Sequence, residues 1–281
     1  MPRRATARTR PRSYARPRSY ARSLAAACAL MLCAPPAAAA AAGSTPADTS
    51  AASTPARTPA ASRAGITSGI TSGITSGITS GNWSGYAATG STHHSVSATW
   101  TQPRITCAAV GAVSVWVGLD GQGTSTVEQT GTQAECTAVN ATPRYFAWWE
   151  NYPDPESPYR DAVRPGDTMT ASVTYDHAQD TYTARLTDET LGWTETKSFP
   201  RYGGATNGSA EVIAEAPNRN GSRQPLADFG SVTFTHAAVD GRTLAAASAA
   251  TVTMARNGVT EAVPGPLSGG GDSFTDTWKH S

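Results

Sequence analysis

From Asn82 to the C-terminus, apolar residues recur at every second position, and this period of two constrains the fold more than any other feature of the sequence. In Thr168-Met-Thr-Ala-Ser-Val-Thr-Tyr175, Met169, Ala171, Val173 and Tyr175 share one face and hydroxyls take the other. Tyr182, Ala184 and Leu186 repeat the pattern after a polar connection at 176–180, which reads as a hairpin. Similar segments recur at 96–101, 112–119, 145–152, 193–199, 210–215, 231–235 and 251–255. No window carries an apolar stripe of helical spacing with caps at its ends. Short strands and turns without crossover helices imply an all-β fold, an antiparallel sandwich or barrel.

The first 81 residues do not share that period. Residues 1–22 hold eight arginines and no acid, and lead into the apolar run 24–34, Pro35-Pro36 and alanines at 37–42. A basic start, a short apolar stretch and small residues at the exit read as a secretory signal over 1–42, too short to span a bilayer. The expectation is a secreted, extracellular protein with no stable membrane anchor. Residues 43–81 are rich in Ala, Ser, Thr, Pro and Gly and end in four tandem Ile-Thr-Ser-Gly units at 66–81. Glycine at every fourth position discourages a helix, so this segment reads as a linker or pro-segment, and 82–281 as the folded domain.

The formal charge of +1 hides a segregation. Beyond residue 22, 14 basic residues face 21 acidic ones, a balance of −7. A nucleic-acid partner is therefore not expected, because the folded part lacks a basic footprint. Cys28 and Cys33 fall in the signal, leaving Cys107 and Cys136 as one disulfide in an oxidising compartment. The five histidines show no metal-ligand spacing, so no metal or cofactor is expected.

Nucleophile motifs are missing: there is no G-x-S-x-G elbow and no S-x-x-K. Carboxylates, amides and indoles remain. Alternation puts Glu211, Ile213 and Glu215 on one face of their strand, Trp116, Gly118 and Asp120 on one face of another, and Phe146, Trp148 and Glu150 on one face of a third. Val127 and Gln129 form a further pair. An unpaired buried carboxylate is costly, so the glutamate face is expected to line a cleft or meet water. Alternation alone licenses a polar, aromatic groove. It leaves open a lectin-like binding module and a glycosidase with paired carboxylates such as Glu150 and Glu215.

Six blocks occur in order: Asn82-Trp-Ser-Gly-Tyr86, Val115-Trp-Val-Gly-Leu-Asp-Gly121, Glu128-Gln-Thr-Gly131, Tyr145-Phe-Ala-Trp-Trp-Glu-Asn-Tyr-Pro153, Ala210-Glu-Val-Ile-Ala-Glu215 and Leu226-Ala-Asp-Phe-Gly230. Together they resemble the glutamic peptidases, the eqolisins of peptidase family G1, and look more like the bacterial branch than the fungal founders. The resemblance runs from Asn82 to the 240s. It implies a jelly-roll-like sandwich of two curved antiparallel sheets, with protein or peptide substrates lying across the concave face. It further implies an acid endopeptidase insensitive to pepstatin; a monomer is expected. The family's catalytic glutamine falls on Gln129 and its glutamate on Glu215. Trp116 and Asp120 match positions that shape the cleft, Glu150 matches an acid beside the substrate, and Glu211 a supporting acid. Val212 and Ala216-Pro217 depart from the fungal pattern, which bears on subsite preference. A glutamate base with the ordinary pKa near ~4.3 works best close to that pH, so acid activity is expected on chemical grounds as well.

Overall fold

The computed structural model describes residues 77–281. The expected signal and residues 43–76 of the expected linker lie outside the described residues. Within them the chain forms β1 (Ile78–Ser80), β2 (Trp83–Thr89), β3 (Ser95–Thr101), β4 (Gly111–Leu119), β5 (Val127–Cys136) and β6 (Arg144–Tyr152). There follow β7 (Ser157–Pro158), β8 (Thr168–Asp176), β9 (Thr181–Asp188), β10 (Trp193–Pro200), β11 (Ser209–Glu215) and the small hairpin β12 (Asn218–Arg219) and β13 (Ser222–Arg223). The chain ends with β14 (Ser231–Val239), β15 (Arg242–Thr243), β16 (Ala250–Arg256), β17 (Val259–Pro264) and β18 (Phe274–Trp278). No helix occurs among the described residues, and so none is long and apolar enough to cross a membrane.

The strands join edge to edge in the order β10-β9-β8-β3-β14-β18-β17-β16-β2-β11-β4-β5-β6-β7. This path folds back on itself, so that β8 and β9 lie across β4 and β5, and β3 and β14 across β11. The result is an antiparallel β-sandwich. Its core is built by the alternation already visible in the sequence. Val96, Ala98 and Trp100 on β3, Met169, Ala171 and Val173 on β8, and Tyr182, Ala184 and Leu186 on β9 face inward. They meet Val113, Val115, Val117 and Leu119 on β4 and Ala210, Val212 and Ala214 on β11. Each fully buried aliphatic or aromatic side chain contributes about 1.5–3 kcal/mol, which sets the register of both layers. The indole N–H of Trp100 crosses the core to Thr132 Oγ1 at 3.2 Å.

Cys107 and Cys136 form the expected disulfide, with a Cα–Cα separation of 5.3 Å, and tie the approach to β4 to the end of β5. Outside the alternating segments the chain also forms β1, β2, β17 and β18 and the two-residue strands β7, β12, β13 and β15. Of these β1 is the last Ile-Thr-Ser-Gly unit, so the folded part begins before Asn82. The layer made of β16, β2, β11, β4, β5 and β6 is covered on its far face as well. There Ala87, Trp116, Val127, Trp148, Ile213 and Val252 form a second apolar cluster, flanked by Ile78, Trp83 and Phe146.

Candidate active site

The far face of that layer can be read as rows running across β11, β4, β5 and β6. One row is Glu211, Gly118, Gln129 and Glu150; the next is Ile213, Trp116, Gly131 and Trp148; the third is Glu215, Ser114, Gln133 and Phe146. The sequence puts all the expected residues but Asp120 on these rows because the period of two is unbroken through each strand.

Glycines make the middle of the face possible. A Cβ on Gly131 would lie 2.2 Å from the Val115 carbonyl oxygen and 2.6 Å from Trp116 Cβ, and one on Gly118 would lie 2.9 Å from the Trp116 ring. The two missing side chains let the Trp116 indole lie down over the sheet. Its N–H then donates to Glu215 Oε2 at 2.8 Å, while Asn82 Nδ2 donates to Glu215 Oε1 at 2.8 Å. Trp83 packs edge-on against Trp116, with ring centroids 5.0 Å apart, and closes the other side.

Gln129 and Glu215 both line one cleft of about 480 Å³, together with Trp83, Gln133, Trp148 and Glu150. That volume suits a ligand of several heavy-atom groups. The Nε2 of Gln129 donates to Glu150 Oε2 in a short hydrogen bond, and its Oε1 has no partner within the protein. Gln129 and Glu215 thus share a face and a cavity, but each is held by a different neighbour. Gln133 is fixed by Ser114, whose hydroxyl donates to its Oε1 at 2.7 Å.

Burial dominates the electrostatics. It pushes the Glu215 carboxyl up to about 8, against the opposing N–H groups of Trp116 and Asn82. It pushes Glu150 up to about 7, against the Gln129 amide. The ordinary carboxylic pKa near ~4.3 expected for Glu215 is therefore not the one its surroundings give. Through the acid range this side chain is a neutral acid.

Three expected cleft residues take other places. Trp116 is fully buried and acts on Glu215 from beneath. Asp120 is fully buried, in a left-handed backbone conformation with φ 63°, and faces the chain rather than the cleft. It accepts hydrogen bonds from the backbone N–H groups of Thr206 (3.0 Å), Asn207 (2.9 Å) and Gly208 (2.9 Å) and from Thr206 Oγ1 (3.1 Å). Asp120 thereby fixes the segment that feeds into β11 and Glu215. Glu211 is fully buried and neither carboxyl oxygen has a hydrogen-bond partner. The face it shares neither meets water nor lines the cleft at this point, contrary to expectation. The cost of burying its charge is avoided because burial, helped by the nearby Asp120, raises its pKa well above the ordinary value and keeps it protonated.

Sequence reasoning gave no role to Asn82, although it begins the first of the six blocks. It also missed Glu128, which points into the sandwich beside Asp120 and is pushed up to about 8, first by burial and then by that neighbour. No periodicity could have marked either. Among the described residues no group of three or more His, Cys, Asp or Glu side chains converges as a metal site.

The Peptidase A4 family matches residues 81–265. Aspergillopepsin-2 of Aspergillus niger is 28% identical over 223 residues, covering 70% of this chain and 77% of the relative. Scytalidopepsin B of Scytalidium lignicola is 32% identical over 158 residues, covering 53% of this chain and 58% of the relative. Among solved structures, scytalido-glutamic peptidase with a peptide-based transition-state analogue aligns at a TM-score of 0.61 and 28% identity, covering 71% of this chain and 98% of that chain. Aspergilloglutamic peptidase of Aspergillus niger aligns at 0.52 and 29% identity, covering 60% of this chain and 99% of that one. The fold, the cleft and the matched length lead to one conclusion: this chain belongs to the Peptidase A4 family, the eqolisin glutamic peptidases.

Proposed function

We propose that this peptidase is a secreted acid endopeptidase in which Glu215 moves the protons of the reaction and Gln129 stabilises the oxygen of the tetrahedral intermediate. The observation that carries the reading is the shared cleft: an amide with unused hydrogen-bonding capacity and a carboxyl held in place by two N–H donors. An extended substrate lies in the cleft that the two side chains line together with Trp148 and Gln133.

A neutral carboxyl is both donor and acceptor. As water attacks the scissile carbonyl carbon, one Glu215 oxygen takes a proton from the water while the other passes its own proton to the carbonyl oxygen. The intermediate is uncharged and Glu215 is again neutral, so no ion forms in a dry site. In the second step Glu215 gives a proton to the amide nitrogen and takes one from a hydroxyl of the intermediate. The C–N bond breaks, releasing a carboxylic acid and an amine. Gln129 keeps one N–H on Glu150 and offers the other to the forming oxygen; one such donor is worth about 10²–10³ in rate. Because the neutral form works, the rate holds through acid pH and falls as Glu215 loses its proton at higher pH. Pepstatin insensitivity follows from the absence of an aspartic pair in this chemistry.

The test is incubation with denatured casein and with polysaccharides at acid pH, with pepstatin and EDTA added separately. Peptide release resistant to both is expected. Sugar release, or retention without cleavage, would favour a glycosidase or a lectin-like module instead. Glu215→Gln and Gln129→Ala should each remove activity by about 10²-fold or more while the fold persists. A fully active Gln129→Ala enzyme would remove glutamine from the mechanism.

A further inference from the structure

Of the four tandem units at 66–81, the last is built into the cleft layer. β1 pairs in parallel with β16, setting Ile78 opposite Val252, Thr79 opposite Thr253 and Ser80 opposite Met254. Ile78 packs on the apolar cluster of the cleft face, which includes Trp116, Ile213 and Val252. The chain then turns through Gly81. Ser80 Oγ accepts the backbone N–H of Trp83 at 3.1 Å and that of Asn82 at 3.4 Å, and donates to Asn82 Oδ1 at 3.3 Å. Asn82, oriented in this way, donates to Glu215 Oε1 at 2.8 Å.

Glu215 therefore has two unlike supports. Trp116 is pinned in the middle of the sheet. Asn82 sits in a turn: its carbonyl oxygen accepts the Ala216 N–H at 2.9 Å, and its side chain is held by Ser80 Oγ at the end of β1. Without β1, the Asn82 side chain loses the Ser80 hydroxyl that holds it toward that oxygen of the carboxyl.

We propose that β1 is the positioning element of Glu215, and that one Ile-Thr-Ser-Gly unit joined to Asn82 is both required and sufficient for it. The proposal rests on the reading of Glu215 as the catalytic acid. The four units are identical, so a chain with three, two or one of them keeps the same Ile-Thr-Ser-Gly-Asn junction. Shortening the array is then silent down to the last copy and damaging at the next step. A chain with none brings Ser62-Arg63-Ala64-Gly65 to the junction. The turn glycine survives, but the isoleucine that docks the strand and the hydroxyl that aims Asn82 are gone.

The experiment compares full-length chains carrying four, three, two, one or no units, with Glu215→Gln in the four-unit chain, measuring kcat and KM on a fluorogenic peptide from acid to alkaline pH. Chains with one to four units should agree within about twofold, whereas the chain with none should lose about 10–10² in kcat with KM little changed. Its high-pH limb should also move upward, because the lost Asn82 bond favoured the ionised carboxyl. A folded no-unit chain with normal kcat and an unmoved limb overturns the proposal, and so does a one-unit chain as impaired as the chain with none. If the no-unit chain does not fold, Ser80→Ala in the full chain decides. A fall in kcat with a shifted limb, restored by Ser80→Thr, supports the role; a lower melting temperature with kcat and limb unchanged overturns it. An active Glu215→Gln chain withdraws the catalytic reading and the proposal together. An inert one beside an unimpaired no-unit chain withdraws the role of β1 alone.

Discussion

The two layers of the sandwich turn faces of opposite character away from the shared core. On the layer of β3, β8, β9 and β10, one row across four strands is Thr99, Thr170, Thr187 and Thr194, and another is Ser95, Thr174, Thr183 and Ser198. Hydroxyls bond across it, as in Thr99–Thr170, Thr187–Thr194 and Thr183–Ser198, each at 3.0 Å, and the face meets water. On the layer of β11, β4, β5 and β6 the corresponding row is Glu211, Gly118, Gln129 and Glu150. Every residue of β4 and β5 is buried. The strand pattern is the same, but the first face carries residues that suit a wet pleated surface and the second carries acids that stability alone would not select. Where such acids line the cleft, as Glu150 and Glu215 do, they mark the candidate site.

The sharpest way to break this contrast is to add one methyl group to each region. Gly131→Ala puts Cβ at 2.2 Å from a backbone oxygen of β4 and 2.8 Å from Trp116 Cα, so β5 must part from β4. Overpacking of this kind against backbone costs several kcal/mol, about 3 or more. The expected result is loss of soluble, active enzyme, read by expression yield and circular dichroism. Gly203→Ala, in the loop after β10, meets nothing within 4 Å and has no left-handed φ. It should leave activity intact and raise stability by up to about 0.4–1 kcal/mol. Equal tolerance at both glycines would show that the cleft face is not close-packed around Trp116.

The sequence made the first region more legible than the second. Alternation located β3, β8 and β9 because one face is plainly apolar and the other plainly hydroxylic. It located β11 and put Glu211 and Glu215 on one side. It could not separate their fates, because whether a strand position opens on a cleft or lies under a loop depends on its neighbours. On β5 the core side carries Glu128, Thr130 and Thr132, which breaks the apolar pattern. Thr130 is satisfied by the Trp148 carbonyl at 2.8 Å and Thr132 by the Trp100 indole, so the core accepts them. β18 was hidden because its buried face includes Asp276, whose carboxyl is bonded to Ser84 Oγ at 2.8 Å and follows a glycine-rich stretch. The function came from ordered motifs, and only the folded chain shows that Asp120 serves the backbone and Asn82 serves Glu215.

The contrast sharpens with pH. Threonines and serines do not titrate, so the two hydroxyl rows of the first face contribute no pH dependence. In the second layer and the core beneath it, burial raises Glu128 and Glu215 to about 8 and Glu150 and Asp276 to about 7, and holds Glu211 well above the ordinary range. A carboxyl whose folded pKa is raised stays protonated in the native state while the unfolded chain ionises. Its full stability is present below the unfolded value near ~4.5 and is lost as pH climbs toward the folded one. Each fully buried group removes about 1.4 kcal/mol per pH unit in that window. Melting temperature should therefore be highest at acid pH and fall steadily between pH ~4.5 and ~8. Glu128→Gln, outside the cleft, should flatten that fall while activity at acid pH persists. A melting temperature constant from acid to neutral pH would show that these carboxyls are ionised in the native state.

The smallest effect tests the face that carries no chemistry. Thr170→Val keeps the β-branched shape and the strand propensity but removes the hydroxyl that meets Thr99 at 3.0 Å. Both residues are half-buried on the outward face, so water can replace the lost partner in the variant as it does in the unfolded chain. Cross-strand pairs of this type contribute about 0.2–1 kcal/mol, and the added methyl group recovers part of that by covering neighbouring apolar surface. Urea unfolding should shift by no more than about 0.5 kcal/mol. The rate on casein and its pH profile should not move at all, since that row faces away from the cleft layer. A change in the pH profile from this substitution would mean that the two outward faces are coupled through the core. Assigning catalysis to only one of them would then fail, however well the buried acids account for the rest.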